Sequence, residues 1–590
     1  MGGNVFFVPF ALTGEKVTAG VVYRKKNLYY AKLMEVHTPA DERVRPKCAV
    51  FGKCGGCQLQ HLKYTVQLRL KSKLAEDCFR KVARICVTIP PTVKSDPDYG
   101  YRNKLQIPVG RRNGENICGF YAPGTHRIVR TDSCPLHPDW AGKVMSCVLG
   151  FMDDFAVKGY DEERHDGLVR HILVREVAGR LMITLVINGG GLPNAEELYR
   201  RLSELFDDCS LYINLNSEST NVITGEDYVH IGGEPLQRAL SLGVNYNVHP
   251  ASFLQVNTNI RDKIYQKVHS LCAPGESSVI IDAYSGAGLL SAYLARHCKL
   301  VYGIEIIKEA VENANRLAYE NNLMLRMKNI CGACEDVLPR LIDDLRALGK
   351  SDISVVLDPP RKGCDRKVLE ALLVTRPEKI VYISCNPATL ARDIGILLGT
   401  LTLDGAPIPG LDTSPLSYPP PADRSSCTSL NLPSIAQSGK ADKVSAASNS
   451  DTANKAPDTD SSNTSAGSES ISKASNAGSE PIIISASNPD KANKASDTDS
   501  SNTSAGSESI SKASTAGSEP IIISVPVFGK ASKTSAPVQE CGADVTPEQA
   551  LLTQSAAQPN TRYRITFIQT YDMFPMTKHV ECVVLMSRVE

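Results

Sequence analysis

The segment Ser384-Cys385-Asn386-Pro387 follows the apolar run Ile380-Val381-Tyr382-Ile383. Such a run reads as a buried strand, which puts the thiol at a strand tip where a proline opens the next helix. A thiolate there can attack an electrophilic carbon. Most cysteines are small buried apolar residues, and polar neighbours at a strand tip set Cys385 apart from the rest of the eighteen. A second run, Ser354-Val355-Val356-Leu357, leads into Asp358-Pro359-Pro360-Arg361-Lys362-Gly363, where paired prolines fix the backbone behind the carboxylate. Far along the chain, His579-Val580-Glu581-Cys582 opens a last strand. If that strand runs antiparallel, Glu581 comes beside Cys385, and a carboxylate there can serve as general base.

A third motif, Asp282-Ala-Tyr284-Ser-Gly-Ala-Gly288, joins a buried strand to a helix. Its glycines let the backbone turn sharply and approach a ligand. It lacks the Gly-Lys-Ser/Thr ending of a phosphate-binding loop, which argues against an NTPase. The next strand ends in Gly303-Ile304-Glu305, with the acid about 20 residues on, where it can bind ribose hydroxyls. A nucleoside cofactor is expected, and a nicotinamide enzyme fits this much equally well. Near the front, Cys48-x5-Cys54-Gly-Gly-Cys57 is a ligand loop, with Cys134 as its natural fourth member. Four thiolates can hold structural zinc or an iron–sulfur cluster, and spacing alone does not choose. Cys331 and Cys334 have no partner pair nearby and read as incidental.

The elements that must position these groups follow from periodicity. Between 276 and 400, strand and helix patterns alternate, as in a parallel sheet covered on both faces. In such a sheet ligands sit outside the carboxyl ends of the strands, so all three motifs face one crevice. Residues 1–40 read as short strands of a small barrel, 41–250 as a central domain holding the four-cysteine site, and 251–400 with 561–590 as the α/β domain. The stretch 401–560 is rich in Ser, Ala, Asp, Asn, Thr and Pro, and its aromatics are Tyr418 and Phe528. It reads as a disordered insert. Within it 454–481 recurs at 493–520, each copy running into Pro-Ile-Ile-Ile-Ser, and the Ile triplets are the one part suited to a strand or a binding motif. Residues 1–140 carry 23 Lys and Arg against 11 Asp and Glu, while 401–560 carry 10 against 17. The basic front suits a polyanion. No signal peptide or apolar run of about 20 residues is evident, so a cytoplasmic protein is expected.

Together these residues resemble the RNA uracil-C5 methyltransferase family, in particular its iron–sulfur branch acting on 23S ribosomal RNA. The motifs occur in family order: Cys-x5-Cys-Gly-Gly-Cys-Gln-Leu-Gln-His, Ser252-Phe-Leu-Gln255-Val-Asn257, the glycine loop, Asp-Pro-Pro-Arg-Lys-Gly, Ser-Cys-Asn-Pro-Ala-Thr-Leu-Ala-Arg-Asp393 and His-Val-Glu-Cys. The resemblance implies an S-adenosylmethionine-dependent Rossmann-like α/β domain, a central iron–sulfur α+β domain and a partial N-terminal OB-like (TRAM) barrel. It implies that Gln255, Tyr284, Glu305 and Asp358 line the S-adenosyl-L-methionine and uracil site. Cys385 would be the nucleophile that adds to C6, Glu581 the base, and Cys48, Cys54, Cys57 and Cys134 the ligands of a [4Fe-4S] cluster. The expected partner is ribosomal RNA, bound by a monomer. Transfer RNA is the alternative substrate, and a non-catalytic metal-containing RNA-binding protein is the alternative from another class. The insert separates the helix after Cys385 from the last two strands. Loop closure grows by only about 0.6 kcal/mol per doubling, so the fold should survive it.

Overall fold

Alternating apolar residues at the front of the chain build three strands, β1 (Val5–Phe7), β2 (Lys16–Lys25) and β3 (Leu28–Thr38). β3 lies between the other two. The computed structural model describes residues 4–408 apart from 276, residues 562–589, and two short strands between them. All of these fall in one compact unit.

Next come helix α1 (Tyr64–Cys78) and the short strand β4 (Ile85–Cys86). Phe79, Ala83, Ile85, Val87 and Ile89 are buried in one apolar cluster with Val279, Val355 and Tyr382. The stretch 79–89, expected in the central domain, therefore packs on the C-terminal sheet.

The central domain is a seven-stranded sheet. Its members are β5 (Lys104–Arg112), β6 (Glu115–Tyr121), β7 (Ile128–Arg130), β8 (Val169–Val177), β9 (Arg180–Ile187), β10 (Cys209–Leu215) and β11 (Tyr228–Gly232). The order is β11-β10-β9-β8-β5-β6-β7, antiparallel throughout except for β9 and β10. Helices α2 (Trp140–Asp154) and α3 (Ala195–Leu205) cover one face through Val144, Val148, Leu198 and Leu202. A hairpin of β12 (Gln237–Ser241) and β13 (Val244–Val248) then leads to α4 (Thr258–Cys272).

The second seven-stranded sheet holds β14 (Val279–Asp282), β15 (Leu300–Glu305), β16 (Met327–Cys331), β17 (Ile353–Leu357) and β18 (Lys379–Ser384), all parallel. Helices α5 (Leu289–His297), α6 (Lys308–Glu320), α7 (Cys334–Ala347), α8 (Arg366–Thr375) and α9 (Pro387–Leu397) alternate with them. The strands read as unbroken apolar runs because both faces are covered, by one cluster containing Ile281 and Val355 and another containing Ile280 and Val356. Each such side chain stabilises the fold by roughly 1.5–3 kcal/mol.

The chain continues in ordered form past the expected insert boundary at 400: Leu401 is buried and pairs with Pro407. Beyond it, β19 (Leu416–Ser417) pairs with β4, and β20 (Ile521–Ser524) pairs antiparallel with Lys16–Ala19 of β2. The second Ile triplet thus adds a fourth strand to the N-terminal sheet; the first, and the rest of the insert, lie outside the described residues. Two final strands, β21 (Tyr563–Tyr571) and β22 (Glu581–Arg588), close the second sheet, with β22 antiparallel to β18.

Candidate active site

Cys385 is the first of the two residues between the end of β18 and the start of α9. Asn386 caps the helix by accepting from Ala388 N at 3.1 Å, and Pro387 fills the first helical position. The Ser384 hydroxyl accepts from Asn386 N at 3.1 Å and holds the turn closed. The neighbouring Asp-Pro-Pro-Arg loop is locked to this helix. Asn386 Nδ2 and Thr389 Oγ1 both donate to the Arg361 carbonyl, at 3.1 and 3.2 Å. Gly363 sits at φ +80°, and a side chain there would drive into Arg392 and Asp393. Asp393, fully buried, accepts from Cys364 N at 2.9 Å and from Tyr382 Oη at 2.6 Å.

The antiparallel register pairs Ser384 with Cys582, which brings Glu581 beside Cys385. The sequence expectation of an adjacent carboxylate thus has a geometric basis. Burial pushes the Cys385 thiol up to about 11; Glu581 and Asp358 add to this, and Arg361 opposes it. Glu581 is 5 % exposed, and its carboxyl is pushed well above the usual range by burial and then by Asp358. Asp358, at the tip of β17, is pushed to about 7 by burial and by Asp282. Three acidic groups, all raised by burial, share one crevice with the Arg361 side chain, a pattern associated with acid–base and nucleophilic chemistry. Arg361 is the cation among them. Its place in the Asp-Pro-Pro-Arg motif was visible in the sequence, but nothing in the spacing showed that it reaches Cys385 and Glu581.

Asp282, at the tip of β14, is buried and accepts from Ser291 Oγ at 2.6 Å, so it braces the glycine loop. Gly288 holds φ +82°, and a Cβ there would strike Ala314 and Met327. Glu305 accepts from Gly286 N at 3.0 Å and from Ile307 N at 2.9 Å, which fixes its carboxylate at the mouth of the loop. Gln255 is held by its backbone, whose carbonyl accepts from Asn103 Nδ2 at 3.0 Å. The Tyr284 ring packs into the apolar cluster beneath the sheet, and its hydroxyl faces the Cys364 thiol. Loop, Glu305, Asp358 and Cys385 all stand at the carboxyl edge of the parallel strands, the arrangement that receives a nucleoside-bearing cofactor.

Comparison with known proteins agrees. Residues 174–407 match the tRNA (uracil-5-)-methyltransferase family profile. An uncharacterized RNA methyltransferase of Clostridium tetani is 38% identical over 407 residues, covering 68% of this chain and 87% of its own. A second, from Halalkalibacterium halodurans, is 37% identical over 399 residues, covering 67% and 86%. The chain belongs to the RNA uracil-C5 methyltransferase family. Among solved structures, the Pyrococcus abyssi tRNA (uracil-54, C5)-methyltransferase in complex with S-adenosyl-L-homocysteine superposes with a TM-score of 0.54. It is 26% identical and covers 66% of this chain and 88% of its own. The protein is thus an RNA methyltransferase with the fold of S-adenosylmethionine-dependent enzymes. Among the described residues no helix is long and apolar enough to cross a membrane.

In this methyltransferase the cysteine loop also bears on the C-terminal segment that leads to Glu581. Cys48, Cys54, Cys57 and Cys134 lie close enough to interact electrostatically. Burial pushes the Cys57 thiol to about 12 and the Cys134 thiol to about 11. Among the described residues, though, no group of three or more His, Cys, Asp or Glu side chains stands in metal-binding geometry. The same loop grips the segment between β21 and β22: Gln58 N and Leu59 N donate to the Met576 carbonyl at 3.1 and 3.0 Å. From α1, Gln67 Oε1 accepts from Met576 N at 3.2 Å, and Lys71 Nζ donates to Asp572 Oδ1 at 2.5 Å and to the Phe574 carbonyl at 3.0 Å. Lys71 and Asp572 are both fully buried, an ion pair that no sequence motif announced.

Proposed function

We propose that this enzyme methylates C5 of a uridine in 23S ribosomal RNA through a transient covalent bond between Cys385 and C6. The observation that carries this is the placement of Glu581 beside Cys385 on an adjacent antiparallel strand. Uracil C5 is too weak a nucleophile to accept a methyl group directly. Addition of the Cys385 thiolate to C6 converts the ring to an enolate and concentrates electron density at C5. Bound S-adenosylmethionine supplies the electrophilic methyl group. Glu581 then takes the C5 proton, and the electrons of that C–H bond re-form the ring double bond and expel Cys385 as thiolate. Arg361 stabilises the thiolate at both ends of the cycle. The target base must leave its stack to reach this crevice.

Gln255, Tyr284, Glu305 and Asp358 are assigned to the cofactor and uracil site. Cys48, Cys54, Cys57 and Cys134 would hold a [4Fe-4S] cluster: four neighbouring soft thiols with no carboxylate or imidazole among them suit that donor set. The cluster would cross-link the loop that grips Met576, and so support Glu581 from behind. Ribosomal RNA is favoured because the cysteine set matches the branch acting on 23S RNA.

Transfer RNA remains the second reading, favoured by the description of the matching family and by the archaeal structure above. Mapping 5-methyluridine in both RNAs with and without the gene decides: loss from 23S RNA supports the proposal, and loss from transfer RNA alone overturns it. Glu581→Gln should let the Cys385–RNA adduct accumulate on denaturing gels; rapid turnover by that variant would remove Glu581 as the base.

A further inference from the structure

Lys104 and Arg175 stand directly opposite one another on β5 and β8. Arg175 is 6 % exposed, and its Nη1 has no hydrogen-bond partner. Arg102 lies near enough to act on Lys104. Among the described residues no carboxylate lies within 4.0 Å of any of the three. Gln237, at the start of the β12–β13 hairpin that lies against β8, is fully buried with both amide atoms unpartnered. Arg175 and Gln237 each sit two residues from members of one apolar cluster, Val177 and Ala239, so both head groups border the same seam.

A buried group of like charges opposes folding unless an opposite charge accompanies it. Burial and the two arginines push the Lys104 ammonium down to about 8, and burial pushes Arg175 down to about 10. Among the described residues no carboxylate is among the groups that act on them. The seam adjoins the catalytic crevice: Asn103, next to Lys104, donates its backbone N–H to the Val256 carbonyl and its side chain to the Gln255 carbonyl, both at 3.0 Å.

We propose that Lys104 and Arg175 form a binding site for a backbone phosphate of the substrate RNA, with Gln237 as a further hydrogen-bonding partner. This rests on RNA being the substrate. A phosphodiester brings the missing negative charge and two free oxygens, enough for one ammonium and one guanidinium. Its position beside the Gln255 loop would anchor the strand next to the nucleotide that enters the crevice.

The test uses full-length holoenzyme with Lys104→Met, Arg175→Met and the double variant. A labelled uridine-rich RNA oligonucleotide is titrated at several salt concentrations; S-adenosylhomocysteine affinity and Tm are measured in parallel. Each substitution should weaken RNA binding about tenfold at low salt and lower the slope of log K against log salt by about 0.7, with Tm unchanged or higher. Cofactor affinity should stay the same. Unchanged RNA affinity and slope would overturn the site. A selective loss of S-adenosylhomocysteine affinity would assign the anion to the cofactor's carboxylate instead. A sharp fall in Tm with no change in slope among the remaining folded molecules would make both cations structural. Wild-type enzyme that binds no RNA would instead refute the RNA reading on which the site depends.

Discussion

The two seven-stranded sheets use the same number of strands in opposite ways. The C-terminal sheet is mostly parallel, apolar on both faces, and gathers its polar and titratable groups at strand tips: Asp282, Glu305, Asp358 and Cys385. The central sheet is mostly antiparallel and gives one face to an apolar core, while the other carries Lys104, His171 and Arg175. A parallel sheet needs helices on both sides, so only its ends are open to a ligand. An antiparallel sheet needs helices on one face only; here the other is partly covered by the β12–β13 hairpin, which buries Arg175 and His171. Polar groups at the ends of one sheet and on a face of the other follow from strand direction.

The comparison breaks most sharply at Cys385. Its replacement by Ala should lower methyl transfer at least about 10³-fold with S-adenosylhomocysteine affinity intact. Normal turnover would move the chemistry elsewhere. The seam joining the two halves is tested by Lys71→Met, which leaves Asp572 buried and unpaired. Urea unfolding should show a loss of about 3–5 kcal/mol, restored in the Lys71→Met/Asp572→Leu double variant. A loss under about 1 kcal/mol would mean that water reaches the pair.

The pH dependence of kcat/KM sharpens the account of the strand tips. The Cys385 thiol, held near 11, gains about tenfold in thiolate fraction per pH unit below that value, so kcat/KM should climb between about pH 7 and pH 9. A flat profile would show that the thiolate already exists in the resting enzyme. The smallest effect concerns Asp358, whose carboxyl is raised from 3.8 to about 7. A raised acid favours folding while protonated and loses that contribution as pH rises through its folded value. Asp358→Asn should therefore be more stable than wild type by roughly 1 kcal/mol at pH 8 and equal to it near pH 4, since the partly exposed group is screened. The reverse trend would show that a cation pairs with Asp358.

Much of the parallel sheet was legible because its strands are unbroken apolar runs and its chemistry follows them immediately in sequence. Glu581 was legible only through topology: the antiparallel direction of the last strand, not any spacing, brings it to Cys385. The Lys71–Asp572 pair was invisible because its members are about 500 residues apart and neither belongs to a motif. Residues 79–89 were misplaced because an apolar stretch does not say which sheet it will cover. The Ile521–Ser524 strand was half visible: its β-branched run suggested a strand, but the edge it would join lies almost at the other end of the chain.

The central claim is a covalent Cys385–uridine intermediate with Glu581 as the base. Its most direct test is incubation with S-adenosylmethionine and RNA carrying 5-fluorouridine, which has no C5 proton for Glu581 to remove. The account predicts a stable protein–RNA adduct, mapped by mass spectrometry of the digested complex to the peptide containing Cys385. Failure to form an adduct while ordinary RNA is methylated normally, or an adduct on another cysteine such as Cys582, would contradict it.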